Sequence, residues 1–241
     1  MIILMQLIKT HTGYIAFHED LLETPSQTWF NVDFWQKKDA ITGSSQGRYT
    51  TWFIKHLTED WVLRHYYRGG LIEKISHDKY LFCGLKNTRS IAEFQLLNTL
   101  YKEGFAVPKP IAANMTQHGL FYRADLIIER IKNASDLLAQ LEANPMTAQE
   151  WFALGVCIAL FHQRGVYHAD LNAKNILLAD NKFYLIDFDR GAIRKPHVSW
   201  KQANLKRLLR SFNKEKGKSP TLAFTNKDWH QLLQGYQSIE Q

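Results

Sequence analysis

Four polar residues stand at a spacing that could carry a phosphoryl transfer. His168, Asp170 and Asn175 form H-x-D-x-x-x-x-N, and Asp187 follows twelve residues later in LIDFD. A carboxylate held in a loop between a helix and a strand can accept a proton from a hydroxyl nucleophile. An asparagine five residues on and a second aspartate on the next strand supply hard oxygen ligands, which suit Mg²⁺ bridging nucleotide phosphates. The plainer alternative makes Asp170 and Asn175 turn residues and Asp187 a surface acid. Against it, Asp187 interrupts the apolar run YLIDF, where an unpaired buried carboxylate would cost several kcal/mol and needs a cation.

These residues need a scaffold, and the surrounding pattern predicts one. The opening MIILMQLIK reads as an early strand, because it lacks a basic leader and a cleavage site. Trp29, Phe30, Phe34 and Trp35 recur at roughly helical spacing, either for core packing or for an exposed contact with a lipid interface. From Ile41, short β-rich runs broken by glycine predict antiparallel hairpins. Residues 88–103 read as a helix with Ile91, Phe94, Leu97 and Tyr101 on one face, and DLIIERI at 125–131 as a buried strand. A second helix opens at Thr147 with the capping-box pattern T-A-Q-E. NILLA and KFYLIDF then form a hairpin about the Asp180-Asn181 turn, and basic helices follow. This order predicts an α+β chain with a β-rich first lobe and a mainly helical second lobe, meeting near residues 129–134.

At 241 residues, 45% hydrophobic and 22% charged, the chain has an ordinary globular composition, which argues against wholesale disorder or a fibrous protein. Cys83 and Cys157 form neither a ligand cluster nor a disulfide framework, which fits a reducing compartment. No run approaches the roughly 18 apolar residues of a membrane span. The net charge of +7 is concentrated: between Arg190 and Pro220 ten lysines and arginines face a single acid, Glu215, while the remainder holds twenty basic and twenty-two acidic residues. Such a segment points to an anionic partner. Within it, Leu205, Leu208, Leu209 and Phe212 form an apolar stripe beside Lys206, Arg207, Arg210 and Lys214. That pattern suits a basic amphipathic helix on anionic lipid or a helix packed in a lobe with its basic face solvated. Base-stacking aromatics do not interleave with the basic run beyond Trp200 and Phe212, so no nucleic-acid partner is expected.

HADLNAKN and IDFD together resemble the catalytic loop and metal-binding motif of the protein-kinase-like fold. With VLRHYYRGG, the AEFQLLNTLYKEG…VPKP run, HADLNAKNILL and WKQANLKRLLRSF, the chain is similar to the lipopolysaccharide-core kinases from about Gly43 to Phe212. The resemblance implies a bilobal protein-kinase-like fold, with a nucleotide-binding lobe at residues 1–130 and a catalytic and acceptor-binding lobe at 131–241. It implies ATP and Mg²⁺, and a hydroxyl, the 4-OH, of a 3-deoxy-D-manno-octulosonic acid (Kdo) sugar on lipid A precursor as acceptor. Heptose, an aminoglycoside or a protein are the alternative acceptors, and a non-catalytic basic binding module the alternative class. The implied location is peripheral, at the cytoplasmic face of the bacterial inner membrane.

Carried over by residue, Asp170 is the catalytic base, Asn175 and Asp187 hold magnesium, and His168 braces the loop. Lys174 neutralises the γ-phosphoryl group in transit or is simply a solvated lysine. Gly43 and Gly47 let backbone amides approach phosphates or only turn a hairpin, since G-x-x-x-G departs from the kinase G-x-G-x-x-G. The phosphate-pairing cation is Lys55 or Arg64. Glu93 orients that cation by an ion pair or, in Ser90-x-x-Glu93, caps a helix. Glu129 marks the segment whose backbone meets adenine.

Overall fold

The structure, a computed structural model, describes residues 5–46, 50–68 and 77–240. The chain forms two compact units: residues up to Glu103 together with Pro108–Arg130, and Gly104–Val107 together with Ile131–Gln241.

The first unit is built on one antiparallel sheet. Its strands are β1 (Met5–Lys9), β2 (Gly13–His18), β3 (Ile41–Gln46), β4 (Thr50–His56), β5 (Glu59–His65), β6 (Tyr80–Leu81), β7 (Pro110–His118) and β8 (Phe121–Glu129), in the order β1-β2-β7-β8-β5-β4-β3 with β6 also on β8. A 3₁₀ turn (Gln27–Phe30) and α1 (Val32–Lys37) carry the aromatic run. Trp29 and Trp35 are buried with Trp61, Ile54, Leu63, Ile111 and Ile127, and Phe30 and Phe34 pack against them. Core packing is therefore the outcome for that run, because the indoles cover the apolar alternate residues of β4, β5, β7 and β8.

The helix α2 (Arg89–Lys102) matches the predicted 88–103 segment and buries Ile91, Phe94 and Leu97, while Tyr101 stays exposed. Its N-cap is Thr88 rather than Ser90. Ser90 instead donates its hydroxyl proton to the Asn114 carbonyl of β7 (2.7 Å), tying the helix to the sheet.

The second unit contains β9 (Ser135–Asp136), α3 (Leu137–Ala143), α4 (Ala148–Gln163), β10 (Val166–Tyr167), β11 (Ile176–Ala179), β12 (Lys182–Leu185), β13 (Ala192–Ile193), α5 (Val198–Lys218) and α6 (Asn226–Glu240). The strands form two small sheets, β12-β11-β9 and β10-β13. The capping box at Thr147 and Glu150 closes as the sequence predicts. The β11–β12 hairpin turns at Asp180 and Asn181, both with positive φ, as a tight two-residue turn requires. Trp151, Phe212 and Phe224 form the aromatic centre, with Phe212 stacked on Phe224 at 4.5 Å. Helices α4 and α6 approach so closely that a Cβ on Gly155 would lie 1.9 Å from the Leu232 carbonyl oxygen, and one on Gly235 2.0 Å from that of Phe152. Only glycine fits at either point.

Candidate active site

The second unit holds the H-x-D-x-x-x-x-N residues in one loop that folds on itself. The buried His168 receives the Asp170 backbone N–H at Nδ1 (3.2 Å), so its other ring nitrogen carries the proton and donates to the Ile186 carbonyl (3.0 Å). Burial holds its pKa below the ordinary histidine value, keeping the ring neutral. His168 thus clamps the loop to the chain immediately before Asp187. Asn172 caps the 3₁₀ turn Ala173–Asn175 through its side-chain oxygen and donates its amide to both the main-chain oxygen and the carboxylate of Asp170. The carboxylate of Asp170 remains exposed at the loop tip.

Asn175 donates its amide nitrogen to the Asp170 carbonyl (3.0 Å). That assignment leaves its side-chain oxygen without a protein partner among the described residues, turned to the role of acceptor or ligand. The Asn175 carbonyl accepts the Ile186 N–H (3.0 Å), which sets Asp187 next to the same hairpin end. Asp187 is not in a strand, contrary to the sequence expectation. β12 stops at Leu185, and Asp187 takes a left-handed backbone with φ 61° and is half-buried. That conformation costs a non-glycine residue about 1–3 kcal/mol and turns its side chain out of the strand's alternation. Lys174 is exposed beside them.

One amide oxygen and one carboxylate form a donor set suited to Mg²⁺, which keeps several waters and binds through few protein oxygens plus phosphates. No group of three or more His, Cys, Asp or Glu side chains that could hold an ion by itself occurs among the described residues. The residues present therefore fit an ion carried in with a nucleotide.

Three residues of α5 meet this loop, Asn204 and Ser211 behind it and Arg207 at its exposed tip. Asn204 accepts the His168 backbone N–H and the His162 ring proton through one oxygen (both 3.3 Å), Arg207 pairs with the Asp170 carboxylate (3.4 Å), and Ser211 accepts the Ala173 N–H (3.1 Å). At i, i+3 and i+7 they form one stripe of the helix. His162 in turn receives the Tyr236 hydroxyl proton (2.8 Å), and burial depresses its pKa to about 4. The neighbouring apolar stripe, Leu205, Leu208 and Phe212, is buried in the unit's core, so it is not available to enter a bilayer. The outward face carries Lys206, Arg210, Lys214 and Lys218, an exposed row about 6 Å apart by helix geometry. Asn172, Asn204 and Ser211 were missed by sequence reasoning. A helical wheel placing Asn204 and Ser211 with Arg207 on one polar stripe was the available signal.

In the first unit, Arg64 of β5 donates to Glu93 of α2 (2.6 Å), and Tyr66, two residues on and so on the same strand face, donates its hydroxyl proton to the same carboxylate oxygen (2.6 Å). The Glu93 side chain is 2% exposed. It does not cap the helix. Lys55 stands apart, in a cross-strand pair with Asp60 (3.3 Å) near the β4–β5 turn, where it also reaches the Thr58 carbonyl. Gly43 lies on β3 at an irregularity in its pairing with β4, its missing Cβ 3.4 Å from the Phe53 ring. Gly47 lies outside the described residues. Glu129 is exposed at the end of β8, its backbone N–H given to the Lys109 carbonyl (2.8 Å).

The profile of the lipopolysaccharide kinase (Kdo/WaaP) family matches residues 32–236. The chain belongs to this family. Among its relatives, the 3-deoxy-D-manno-octulosonic acid kinase of Mannheimia succiniciproducens is 45% identical over 97% of this chain and 100% of its own length. The enzyme of the same name from Vibrio parahaemolyticus is 46% identical over 88% of this chain and 89% of its own. Two solved structures share the fold. WaaP in complex with acyl carrier protein superposes with a TM-score of 0.56 at 15% identity, covering 90% of this chain and 88% of that one. The Rio2 kinase of Chaetomium thermophilum, in its ADP/Mg²⁺-phosphoaspartate complex, gives 0.51 at 17% identity, covering 98% and 81%. The fold is thus protein-kinase-like, and the α+β class expected from the sequence holds. Membership of a lipopolysaccharide kinase family makes the chain a kinase of lipopolysaccharide biosynthesis.

Proposed function

We propose that the chain transfers the γ-phosphoryl group of ATP to the 4-OH of a Kdo sugar carried on lipid A precursor, releasing ADP. The observation that carries this reading is near-half identity, over nearly the whole chain, to relatives named as kinases of this acid. The loop geometry gives it a mechanism. Asp170, exposed and held by Asn172 and His168, accepts the proton of the attacking hydroxyl. Asn175 and Asp187 would hold Mg²⁺, which when bound neutralises nucleotide phosphate charge. Lys174 offsets the charge of the phosphoryl group in transit.

Arg64, oriented by Glu93 and Tyr66, is the cation for the α/β-phosphates, in preference to Lys55, whose ammonium is already engaged at the β4–β5 turn. Gly43 and Gly47 lend backbone amides to the phosphates, and Glu129 marks the adenine-binding segment. The Lys206–Lys218 row faces the anionic glycolipid at the cytoplasmic face of the inner membrane. Each cation near such a surface contributes about 1 kcal/mol before screening, enough in sum for a peripheral association without apolar insertion.

The test is to incubate the protein with ATP, magnesium and Kdo-bearing lipid A precursor and to weigh and fragment the lipid. The expected product gains one phosphate on the sugar, and Asp170→Asn lowers the rate about a thousandfold with nucleotide binding retained. Phosphate transferred only to a heptose or peptide acceptor, or full activity in Asp170→Asn, would overturn the reading.

A further inference from the structure

The ion pair between Arg207 and the candidate base has features that a structural brace lacks. It is a single contact, Nη1 to Oδ1, at 3.4 Å, with the side chains 43% and 54% exposed. A guanidinium placed to hold a carboxylate takes it by two short parallel bonds. Here the remaining donors of the fork have no partner among the described residues. The bracing of the loop is already done one turn to either side, by Asn204 on His168 and Ser211 on Ala173. Arg207 therefore sits at the mouth of the loop with an open fork, beside the atom that must take up a proton.

A base in that position cannot work while paired. The Oδ1 that Arg207 engages is occupied as an acceptor and is not open to the proton of a hydroxyl. The pair has to open when acceptor binds, and an anion on the acceptor is what would open it. The acceptor sugar is an ulosonic acid, with an ionised carboxylate on ring carbon C2 and the 4-OH two ring atoms away at C4. A sugar that presents its hydroxyl to Asp170 brings its carboxylate within the width of one ring, on the scale separating Asp170 from the Arg207 fork.

We propose that Arg207 binds the carboxylate of the acceptor sugar, and that the Arg207–Asp170 pair is the resting form from which the acceptor frees the base. The inference rests on the kinase reading above. On binding, Arg207 exchanges the Asp170 carboxylate for that of the sugar, and the hydroxyl proton then passes to the released Asp170 as the phosphoryl group is transferred. A neutral sugar cannot make the exchange, so the same residue selects an acidic sugar over a heptose of similar size. A lysine would supply the charge without the planar fork.

Two acceptors decide it: Kdo-bearing lipid A precursor, and the same lipid with the sugar carboxyl reduced to an alcohol. In the wild type the reduced acceptor should have a KM raised about thirtyfold, in the range for removing one partner of a partly exposed charge pair. Arg207→Ala should raise KM for the native acceptor by a similar factor and should not lose on the reduced acceptor, for which the variant has no pair to open. Arg207→Lys, which keeps the charge and guards against a folding failure, should fall between. Equal losses on both acceptors would show that Arg207 acts only through Asp170 and would overturn the proposal, as would an unchanged native KM in Arg207→Ala. Wild-type protein that phosphorylates neither lipid would overturn the kinase reading itself, and this inference with it.

Discussion

The two units support their candidate residues in opposite ways. In the first, the polar interior is built from full charges. The buried Glu93 answers Arg64 and Tyr66, and His65 lies between Asp125 (2.6 Å) and Asp78 (3.3 Å). Burial alone would lower the pKa of His65, but hydrogen bonding and charge from the two aspartates outweigh it and the net shift is upward. In the second unit, the support is neutral. His162 and His168 are both kept uncharged by burial and are joined through the Asn204 amide, and the charged groups stand outside at the loop tip. A charged interior fixes the Arg64 guanidinium in one place on the sheet. A neutral one positions a carboxylate through hydrogen bonds alone and leaves Arg207 as its charge partner.

Removing one charge from the first unit should give the largest change. Arg64→Met takes the guanidinium away from the buried Glu93 carboxylate and should lower stability by about 3–4 kcal/mol in urea unfolding. The neutral counterpart, Asn204→Leu, should cost about 1–3 kcal/mol. Equal losses would erase the contrast. The next effect is one of pH. The folded pKa of His162, about 4, lies below the unfolded value of 6.5, so its contribution is present above pH 6.5 and is lost as pH falls toward 4, because only the unfolded chain takes up the proton. His65 has the opposite sign, its contribution being present below pH 6.5 and lost as pH rises through the raised folded pKa. Since His18 and His56 of the first unit are also lowered by burial, the comparison has to be made by variant. His162→Gln should flatten the fall in urea stability between pH 7 and pH 5 by about 1–2 kcal/mol, and His65→Gln should not. The smallest effect belongs to Lys55→Ala. Its exposed pair with Asp60 should change stability by less than about 0.5 kcal/mol and leave the KM for ATP within twofold, whereas a tenfold rise in that KM would move the phosphate cation back to Lys55.

What the sequence made legible followed the range of the interactions involved. His168, Asp170 and Asn175 were readable because their loop is local and its spacing is the geometry. The Thr147–Glu150 capping box and the Asp180-Asn181 turn are local in the same way. The choice between Lys55 and Arg64 was not readable, because it depends on the pairing of β5 with β4 and β8 and on a helix 29 residues away from Arg64. The alternative cap in Ser90-x-x-Glu93 does not form for the same reason: both side chains are taken by tertiary partners, which outweigh a local cap. Asp187 looked like a strand residue since YLIDF is apolar throughout, and a single left-handed backbone leaves no trace in composition. In α5 the wheel showed an apolar stripe and a basic face. It could not show that the stripe is buried in the core, nor that a third, polar stripe holds the loop.

The contact between α4 and α6 has a consequence for how the chain is made. The residues of the first unit have all been made once Arg130 is reached. The second unit borrows Gly104–Val107 from before that point and waits for Tyr236, the residue that completes the chain of hydrogen bonds from α6 through His162 and Asn204 to His168. At about 5–20 residues per second, the ribosome delivers that last partner some 5–20 seconds after the first unit is complete. Until Tyr236 is made, the segment 168–175 lacks that last support, and Gly155 has no α6 to lie against. The 168–175 loop therefore gains its full support late, and a nascent chain halted before α6 would carry its sequence motif without the hydrogen bond from Tyr236.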